Sequence, residues 1–355
     1  MSKTILTRMG DGERITMSPD EIRSDLAAGT QDAAERAGIP GLTSDELAQL
    51  YDIIADPSRI VSVHPGEEVI ITDDAVCTLY YLDQENSGQG IPMGRTTAAL
   101  AYERACAADT VSFGHTDYSF KQVKAIINYE MQEYYNASMA ITVPFFYGSQ
   151  PNMGLYYQPD GPHPNPSELL PAGKVAEALE AQERAAAHLE DDMVFIGRQM
   201  YSIGCEGFNF DTAASAGDAD FKATLEAVRK LKKAAPDMAI EVGMSSEFVM
   251  GMHGEMTFDG KRLAGLYPHE QVKVVEAAGG DIFGPAINID PTASTAWNIA
   301  RAVTFVKATT AAADIPVHPN VGMGVCGVPM LEVPPIDAVT RASKALVQIG
   351  KADGL

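Results

Sequence analysis

The chain contains little cysteine and little positive charge. Four cysteines are scattered over 355 residues without a CxxC pair, so neither a disulfide framework nor a zinc site is indicated. Reduced thiols are expected. Lysine and arginine number 26 against 48 acidic residues, which gives a formal charge of −22. A surface of that sign repels nucleic acid and anionic membranes, so neither is expected as a partner.

Long apolar runs and familiar catalytic motifs are also missing. No stretch approaches the ~20 apolar residues that span a bilayer, and residues 1–10 lack the apolar core of a signal peptide. A soluble, cytoplasmic protein is therefore expected. The chain also has no GxSxG elbow, P-loop, HExxH pair or strand-linked GxGxxG. Its chemistry must come from residues dispersed along the sequence.

Residues 1–94 differ in pattern from the rest of the chain. Ser18-Pro19-Asp20-Glu21 and Thr43-Ser44-Asp45-Glu46 are capping boxes, and each predicts the start of a short helix. Three clusters of β-forming residues then predict a small sheet or a set of hairpins: residues 60–63, 69–72 and 76–82. We therefore predict an N-terminal helical and small β extension over residues 1–94.

From residue 95 onward, β-forming runs alternate with helical patterns. The candidate strands are residues 110–113, 140–146, 207–211, 239–243, 282–287 and 315–318. The candidate helices are residues 98–107, 121–135, 174–202, 218–233, 268–278, 294–312 and 335–350. This alternation predicts an α/β fold with parallel strands, either a closed barrel or a doubly wound sheet. The strand count favours a (β/α)8 TIM barrel over residues 95–355 that lacks its last strands and helices.

The last six residues, Gly350-Lys351-Ala352-Asp353-Gly354-Leu355, resemble two earlier helix-to-strand transitions. At residues 204–211 and 279–284 a similar glycine-rich segment runs on into an apolar strand. Here the sequence stops at the first apolar residue. Because a half-formed strand buries little and leaves an unpaired edge, we expect the natural chain to continue past Leu355. The alternative is a frayed tail.

Polar residues follow the predicted strands, where a barrel would carry its active site. The candidates are His115, Asp117, Tyr147, Asn209, Asp211, Glu241, Asn288 and His318. Glu241 lies between Ile240 and Val242 in a buried strand, where a carboxylate is costly unless it is paired or used, so a functional role is favoured. Asp211 could equally bind loop backbone or cap the next helix. The two histidines are interpreted as hydrogen-bonded residues rather than metal ligands, because no further ligand has suitable spacing.

Six long segments resemble one known family. They are RMGDG (8–12), GHTDYSFK (114–121), PNMGLYY (151–157), NFDT (209–212), AWNIARAVTF (296–305) and PPIDAVTRASK (334–344). Together they span nearly the whole chain. On these segments the sequence is identified as a member of the dimethylamine:corrinoid protein methyltransferase family, whose members contain pyrrolysine.

The resemblance implies a TIM barrel that transfers a methyl group from dimethylamine to the Co(I) corrinoid of a cognate corrinoid protein, giving monomethylamine. The corrinoid belongs to the partner, and no cofactor is expected on this chain. In the family an amber codon is read as pyrrolysine, which the resemblance implies directly after Leu355. Dimethylamine then adds to the imine carbon of pyrrolysine.

The resemblance also suggests roles for the candidate residues. Glu241 is the candidate acid that protonates the imine nitrogen, and Asp211 is grouped with it as catalytic. The candidate substrate-binding residues are Asn209, Tyr147, His115, Asp117 and Asn288.

The 355-residue chain can also be an inactive amber-terminated fragment, at most a docking module for the corrinoid protein. A generic decarboxylase-like barrel is a further alternative, and the sequence leaves open whether the protein forms a homo-oligomer.

Overall fold

The computed structural model describes residues 4–73, 78–81, 89–92, 110–112, 114–115, 145–147, 149–251, 254–322, 324–331 and 334–355. The chain divides into two compact units. The first contains Met1–His115, Ile287–Thr310 and Pro319–Leu355. The second contains Thr116–Ala286 and Ala311–His318.

The first unit opens with an antiparallel hairpin of β1 (Ile5–Arg8) and β2 (Arg14–Met17). The Arg8 guanidinium donates from Nε and Nη2 to the two carboxylate oxygens of Asp337, at 2.8 and 3.0 Å. This bidentate pair, the strongest geometry for arginine and carboxylate, joins two segments 329 positions apart. Sequence analysis did not predict the hairpin, although Asp11-Gly12 between β-forming residues is a hairpin signal.

Two capped helices follow the hairpin, as predicted. Helix α1 (Pro19–Ala37) starts after Ser18, and α2 (Ser44–Ala55) starts after Thr43. In both helices the hydroxyl of the cap residue accepts a hydrogen bond from the backbone N–H of the glutamate three residues later. The side chain of that glutamate accepts in return from the backbone N–H of the cap residue. The two capping boxes are therefore confirmed. The sequence could predict them because they depend only on residues within one turn.

Among the described residues between α2 and His115 there are five short strands: β3 (Ile71–Asp73), β4 (Thr78–Tyr81), β5 (Gln89–Pro92), β6 (Thr110–Ser112) and β7 (Gly114–His115). Strand β3 pairs with β6 in parallel, and β4 pairs with β5 as a hairpin. Two of the three predicted β clusters are thus confirmed. Residues 60–63 form no strand: Val61 and Val63 are buried there, and the Val61 N–H donates to the Thr340 hydroxyl at 3.4 Å instead of to a neighbouring strand.

The second unit alternates strands and helices. In chain order it contains β8 (Phe145–Tyr147), a 3₁₀ turn (Met153–Tyr156), α3 (Pro166–Leu169), α4 (Val175–Ser202), β9 (Gly207–Phe210), α5 (Asp218–Ala234), β10 (Ala239–Ser245), β11 (Thr257–Phe258), β12 (Lys261–Arg262), α6 (Pro268–Ala278) and β13 (Ile282–Pro285). Within this unit the parallel strands lie in the order β13-β10-β9-β8, and β11 and β12 form a small hairpin. The predicted alternation is confirmed over residues 174–285.

The core of the second unit lies between this sheet and its helices. It includes the strand residues Phe210, Ile240, Val242 and Phe283 together with helix residues such as Leu189, Met193, Phe221, Leu225, Val228 and Val275. Helices α4 and α5 pack against each other. Burial of this apolar face supplies the main driving force for folding of the unit.

Residues 315–318 were predicted to form a strand, and that prediction was wrong. Val317 instead makes an isolated parallel bridge to Phe283, with the N–H of His318 donating to the Phe283 carbonyl at 2.8 Å. Pro316 cannot donate a ladder hydrogen bond, which limits pairing at this position. The bridge is nevertheless sufficient to hold His318 beside β13.

Two further helices, α7 (Thr295–Ala312) and α8 (Ile336–Gln348), agree with the predicted ones to within a few residues. After α8 the predicted start of a strand is limited to a single bridged residue. Gly354 forms a parallel bridge with Ile70, and the N–H of Leu355 donates to the Ile70 carbonyl at 3.0 Å. The Leu355 side chain is buried.

The architecture is mixed α/β. In the residues that the structure describes, the strands form several small sheets and none of these sheets closes into a barrel. The predicted helices at 98–107 and 121–135, and residues 140–144 of a predicted strand, lie outside the described residues. Among the described helices, none combines the length and apolar character needed to cross a bilayer.

Candidate active site

Asn209 and Glu241 lie side by side on the parallel sheet of the second unit. They are direct partners in the β9–β10 register. Because side chains alternate along a strand, both point to one face, while Phe210 and Val242 point to the opposite, core-facing side. Asn209 is 1% exposed and Glu241 is 4% exposed. The sheet therefore holds an amide and a carboxyl group next to each other in a buried environment.

A third polar residue, His318, lies next to Glu241. Its Nδ1 lies 3.2 Å from Oε1 of Glu241, and its side chain is only 8% exposed. The two residues are 77 positions apart and meet because the Val317 bridge sets His318 beside β13, which in turn pairs with β10. The interpretation of His318 as a hydrogen-bonded histidine is confirmed. Its partner could not be read from the sequence.

Two glycines make room for these polar groups. A β-carbon on Gly243 would lie 2.1 Å from Nδ2 of Asn209, so the Asn209 amide lies directly over the Gly243 backbone. A β-carbon on Gly284 would lie 3.2 Å from Oε1 of Glu241 and 3.0 Å from the carbonyl oxygen of His318. Sequence analysis missed both glycines. Both positions could have been found in the sequence, because each glycine interrupts a strand that otherwise consists mostly of apolar residues.

Several buried polar atoms around this sheet face have no hydrogen-bond partner within the described residues. They are Ser149 Oγ, both amide atoms of Asn209, Glu241 Oε2 and His318 Nε2. The backbone N–H of Ser149 donates to the Asn209 carbonyl at 2.9 Å. Each buried polar group without a partner costs about 1–3 kcal/mol, so natural proteins rarely leave several together. A group of such atoms is suited to bind a small polar ligand.

A second buried polar group adjoins Ser149 along the chain. The carboxylate of Asp220, in the first turn of α5, accepts hydrogen bonds from Gln150 Nε2, from the Ala216 N–H at 3.0 Å and from Ser215 Oγ at 3.4 Å. Burial raises the pKa of Asp220 to about 7, and the donated hydrogen bonds only partly oppose this effect. Asp220 thus connects the segment after β8 with the turn after β9.

The turn after β9 carries unusual backbone geometry. Thr212 and Ala214 have φ values of 58° and 61°, in the left-handed region that non-glycine residues rarely occupy. Such conformations cluster at functional sites. Asp211, which is buried, begins this turn. Gly217 is the N-cap residue of α5, so Asp211 does not cap that helix.

Residues 3–355 match the family described as dimethylamine methyltransferase (Dimeth_PyL). The chain belongs to this dimethylamine methyltransferase family. The match covers nearly the whole sequence, so the resemblance based on the six segments is confirmed. One of those segments, Asn209-Phe210-Asp211-Thr212, contains Asn209, whose buried amide atoms have no partner within the described residues. It also contains the start of the turn after β9 with its left-handed residues.

Two solved structures show a weak overall likeness, the spore cortex-lytic enzymes SleL of Bacillus cereus and Bacillus megaterium QM B1551. Both are 10% identical to this methyltransferase family member, with a TM-score of 0.34. The alignments cover 88% and 89% of this chain, and 65% and 67% of those chains, respectively. The chain thus spans 65% of the length of the first structure. A likeness at this level supports no conclusion about fold or function.

The second unit brings together three of the sequence-predicted residues: Asn209, Asp211 and Glu241. Tyr147 ends β8, and His115 lies in β7 of the first unit, but the side chains of both are outside the described part of this methyltransferase family member. Asp117 is also outside it. Asn288 is exposed in the first unit, where its carbonyl accepts from Arg301 Nη1 at 3.0 Å.

Proposed function

We propose that this protein transfers a methyl group from dimethylamine to the corrinoid of a cognate corrinoid protein, with release of monomethylamine. The family match over residues 3–355 supports the reaction class. The observation that carries the site is the buried pair of Glu241 and His318 beside Asn209, with polar atoms left open on one sheet face. The partner's corrinoid supplies the nucleophilic cobalt that accepts the methyl group.

Glu241 is the proposed acid. An unactivated amine is a poor leaving group, so the nitrogen must be positioned and its charge balanced before the carbon–nitrogen bond breaks. The family resemblance implies that a pyrrolysine beyond Leu355 offers the electrophilic imine for the amine. One carboxyl oxygen of Glu241 is held by His318, and Oε2 is free to deliver a proton to the imine nitrogen.

Asn209 is the proposed orienting residue. Its amide is held over Gly243, and both amide atoms are open, so the oxygen can accept from an amine N–H while the nitrogen donates. Asp211 and Tyr147 are proposed to complete the site from the ends of β9 and β8. His115, Asp117 and Asn288 are retained as proposed substrate contacts on the basis of the family resemblance alone.

A short loop after β10 is the proposed docking face for the corrinoid protein. Phe248 and Met250 are 42% and 58% exposed, while Val249 between them is buried. The Val249 backbone is fixed by hydrogen bonds of 3.0 and 2.7 Å with Leu266 and Gly265. Exposed aromatic and methionine side chains on a fixed backbone are suited to an adaptable apolar contact. Met256, further along the chain, is buried and packs in the core.

Two further features belong to this proposal. The fold of the complete protein is proposed to be a TIM barrel, and the protein is proposed to act in the cytoplasm. The alternative is that the 355-residue chain is an inactive fragment that at most docks the corrinoid protein. Measuring the intact mass of the natural gene product separates the two. A larger product that contains pyrrolysine supports the methyltransferase, and a product of 355 residues supports the fragment.

The test of the site is Glu241→Gln in the complete gene product, assayed for dimethylamine-dependent methylation of the corrinoid protein. Glutamine keeps the size of the side chain and removes the acid, so turnover should fall by at least about 100-fold, the usual contribution of an acid–base group. Glu255→Gln makes the same chemical change at an exposed position and should leave turnover unchanged. Ordinary turnover by Glu241→Gln would remove Glu241 from the mechanism.

A further inference from the structure

His318 is the buried ring that contacts the proposed acid, and neither the family match nor the candidate roles from the sequence assign it a function. Its backbone is fixed on one side, because its N–H donates to the Phe283 carbonyl at 2.8 Å and Val317 bridges to Phe283. Its ring reaches Glu241 through Nδ1, at 3.2 Å from Oε1. The ring is thus held by both the sheet edge and the carboxyl group.

The contact between His318 and Glu241 is selective. Nδ1 of the ring meets Oε1 of the carboxyl group, while within the described residues the other ring nitrogen and the other carboxyl oxygen have no partner. A histidine with a purely structural role would be expected to have both ring nitrogens paired in so buried a position. Here one side of each group is fixed, and the other side is left open.

We propose that His318 is a positioning residue that decides which oxygen of Glu241 carries the transferable proton. This proposal rests on the proposed function. When Nδ1 of the ring carries a proton and donates it to Oε1, the lone pair of Oε1 that faces the ring is occupied, so a proton carried by Glu241 resides on Oε2. When Oε2 gives up that proton to the imine nitrogen, the carboxylate that forms is stabilised by the Nδ1–H bond to Oε1.

The same arrangement leaves His318 Nε2 as an acceptor. The acceptor on the ring and the donor on Oε2 are both of the kinds that a small amine can use, because its nitrogen can offer an N–H and later receive a proton. Gly284 maintains the geometry, because any β-carbon there would lie 3.0 to 3.2 Å from both the His318 carbonyl oxygen and Glu241 Oε1. The proposal therefore assigns His318 the role of orienting the carboxyl group of Glu241, which an apolar residue could not do because it has no hydrogen-bond donor.

The test compares His318→Asn with His318→Gln in the complete gene product with its corrinoid partner. An asparagine amide can take the place of Nδ1, whereas a glutamine amide takes the place of Nε2. We expect His318→Gln to lower kcat by about 100-fold, the usual effect of a misplaced reacting group, with KM for dimethylamine changed by less than about threefold. His318→Asn should recover kcat to within about tenfold of the wild type, because an N–H again faces Oε1.

Controls keep these results interpretable. Thermal unfolding of both variants should match the wild type, and His269→Gln, at a histidine of helix α6 with no proposed role, should leave kcat unchanged. Gly284→Ala perturbs the same contact without replacing either side chain and should also lower kcat rather than raise KM. If both His318 variants unfold, Gly284→Ala alone decides.

Three results would overturn the proposal: wild-type kcat in His318→Gln, rescue by glutamine rather than asparagine, or, where the His318 variants do not fold, wild-type kcat in Gly284→Ala. Each of these, combined with loss of turnover in Glu241→Gln, rejects only the role of His318. Full activity of Glu241→Gln rejects the proposed acid itself, so the two failures can be told apart.

Discussion

Asp220 should make the second unit less stable as the pH rises from 4 to 7. The carboxyl group is buried in the first turn of α5, and burial raises its pKa from 3.8 to about 7. Below pH 4 it is protonated in both the folded and the unfolded chain and does not affect their balance. Between pH 4 and 7 the unfolded chain releases the proton while the folded chain retains it, so the free energy of unfolding falls.

The size of this effect follows from the pKa difference. Each pH unit in the window lowers the free energy of unfolding by about 1.4 kcal/mol, which gives about 4 kcal/mol over the whole window. Asp220→Asn removes the titration and keeps the size of the side chain. At pH 4 the variant should be less stable than the wild type by about 1 kcal/mol, because one hydrogen bond with Gln150, Ser215 or Ala216 is lost. By pH 7.5 the variant should be the more stable protein.

Urea denaturation at unit intervals from pH 4 to 8, followed by circular dichroism, measures this difference. Asp237→Asn is the matched control. Asp237 is exposed, and the hydrogen bond from the Tyr201 hydroxyl holds its pKa below the usual range. The contribution of Asp237 to the free energy of unfolding is present above the pKa of the unfolded chain and is lost as the pH falls. It therefore increases with pH, whereas the contribution of Asp220 decreases. Parallel stability curves for Asp220→Asn and the wild type would refute the reasoning.

Two further predictions concern the sheet face and the docking loop. Gly243→Ala would place a β-carbon 2.1 Å from Asn209 Nδ2. It should therefore lower the free energy of unfolding by about 1–3 kcal/mol and reduce turnover. Urea denaturation and turnover equal to those of the wild type would contradict this geometry. Joint replacement of Phe248 and Met250 by alanine should raise KM for the corrinoid protein about tenfold, since an interface anchor contributes more than about 1 kcal/mol. An unchanged KM for the partner with unchanged melting would exclude this loop from docking.

Much of the local structure could be predicted from the sequence, whereas most of the strand partners could not. The capping boxes at Ser18 and Thr43 predicted the starts of α1 and α2, and the helix at Pro268–Ala278 was predicted to the residue. The strand predicted at residues 315–318 was reduced to a single bridge, because Pro316 has no N–H to donate to a strand partner. The N-terminal hairpin was not predicted, since its strands have four residues each.

The candidate site shows the same division. A carboxylate between Ile240 and Val242 indicated a functional residue, and its burial is confirmed. Nothing in the sequence paired it with His318, placed the Asn209 amide over Gly243, or connected Gln150 with Asp220. Those contacts join residues 34 to 77 positions apart, counting Asn209 with Gly243 as the shortest separation and Glu241 with His318 as the longest.

The sequence by itself determined the family, the longer described helices and the alternation of strand and helix over residues 174–285, because helical hydrogen bonds, caps and side-chain periodicity all act within a few residues. Only the tertiary structure decided which polar groups meet. Sheet register places Asn209 beside Glu241, and the bridge from Val317 to Phe283 brings His318 to the same carboxyl group. Register and packing depend on distant parts of the chain together, and for that reason no local pattern could specify them.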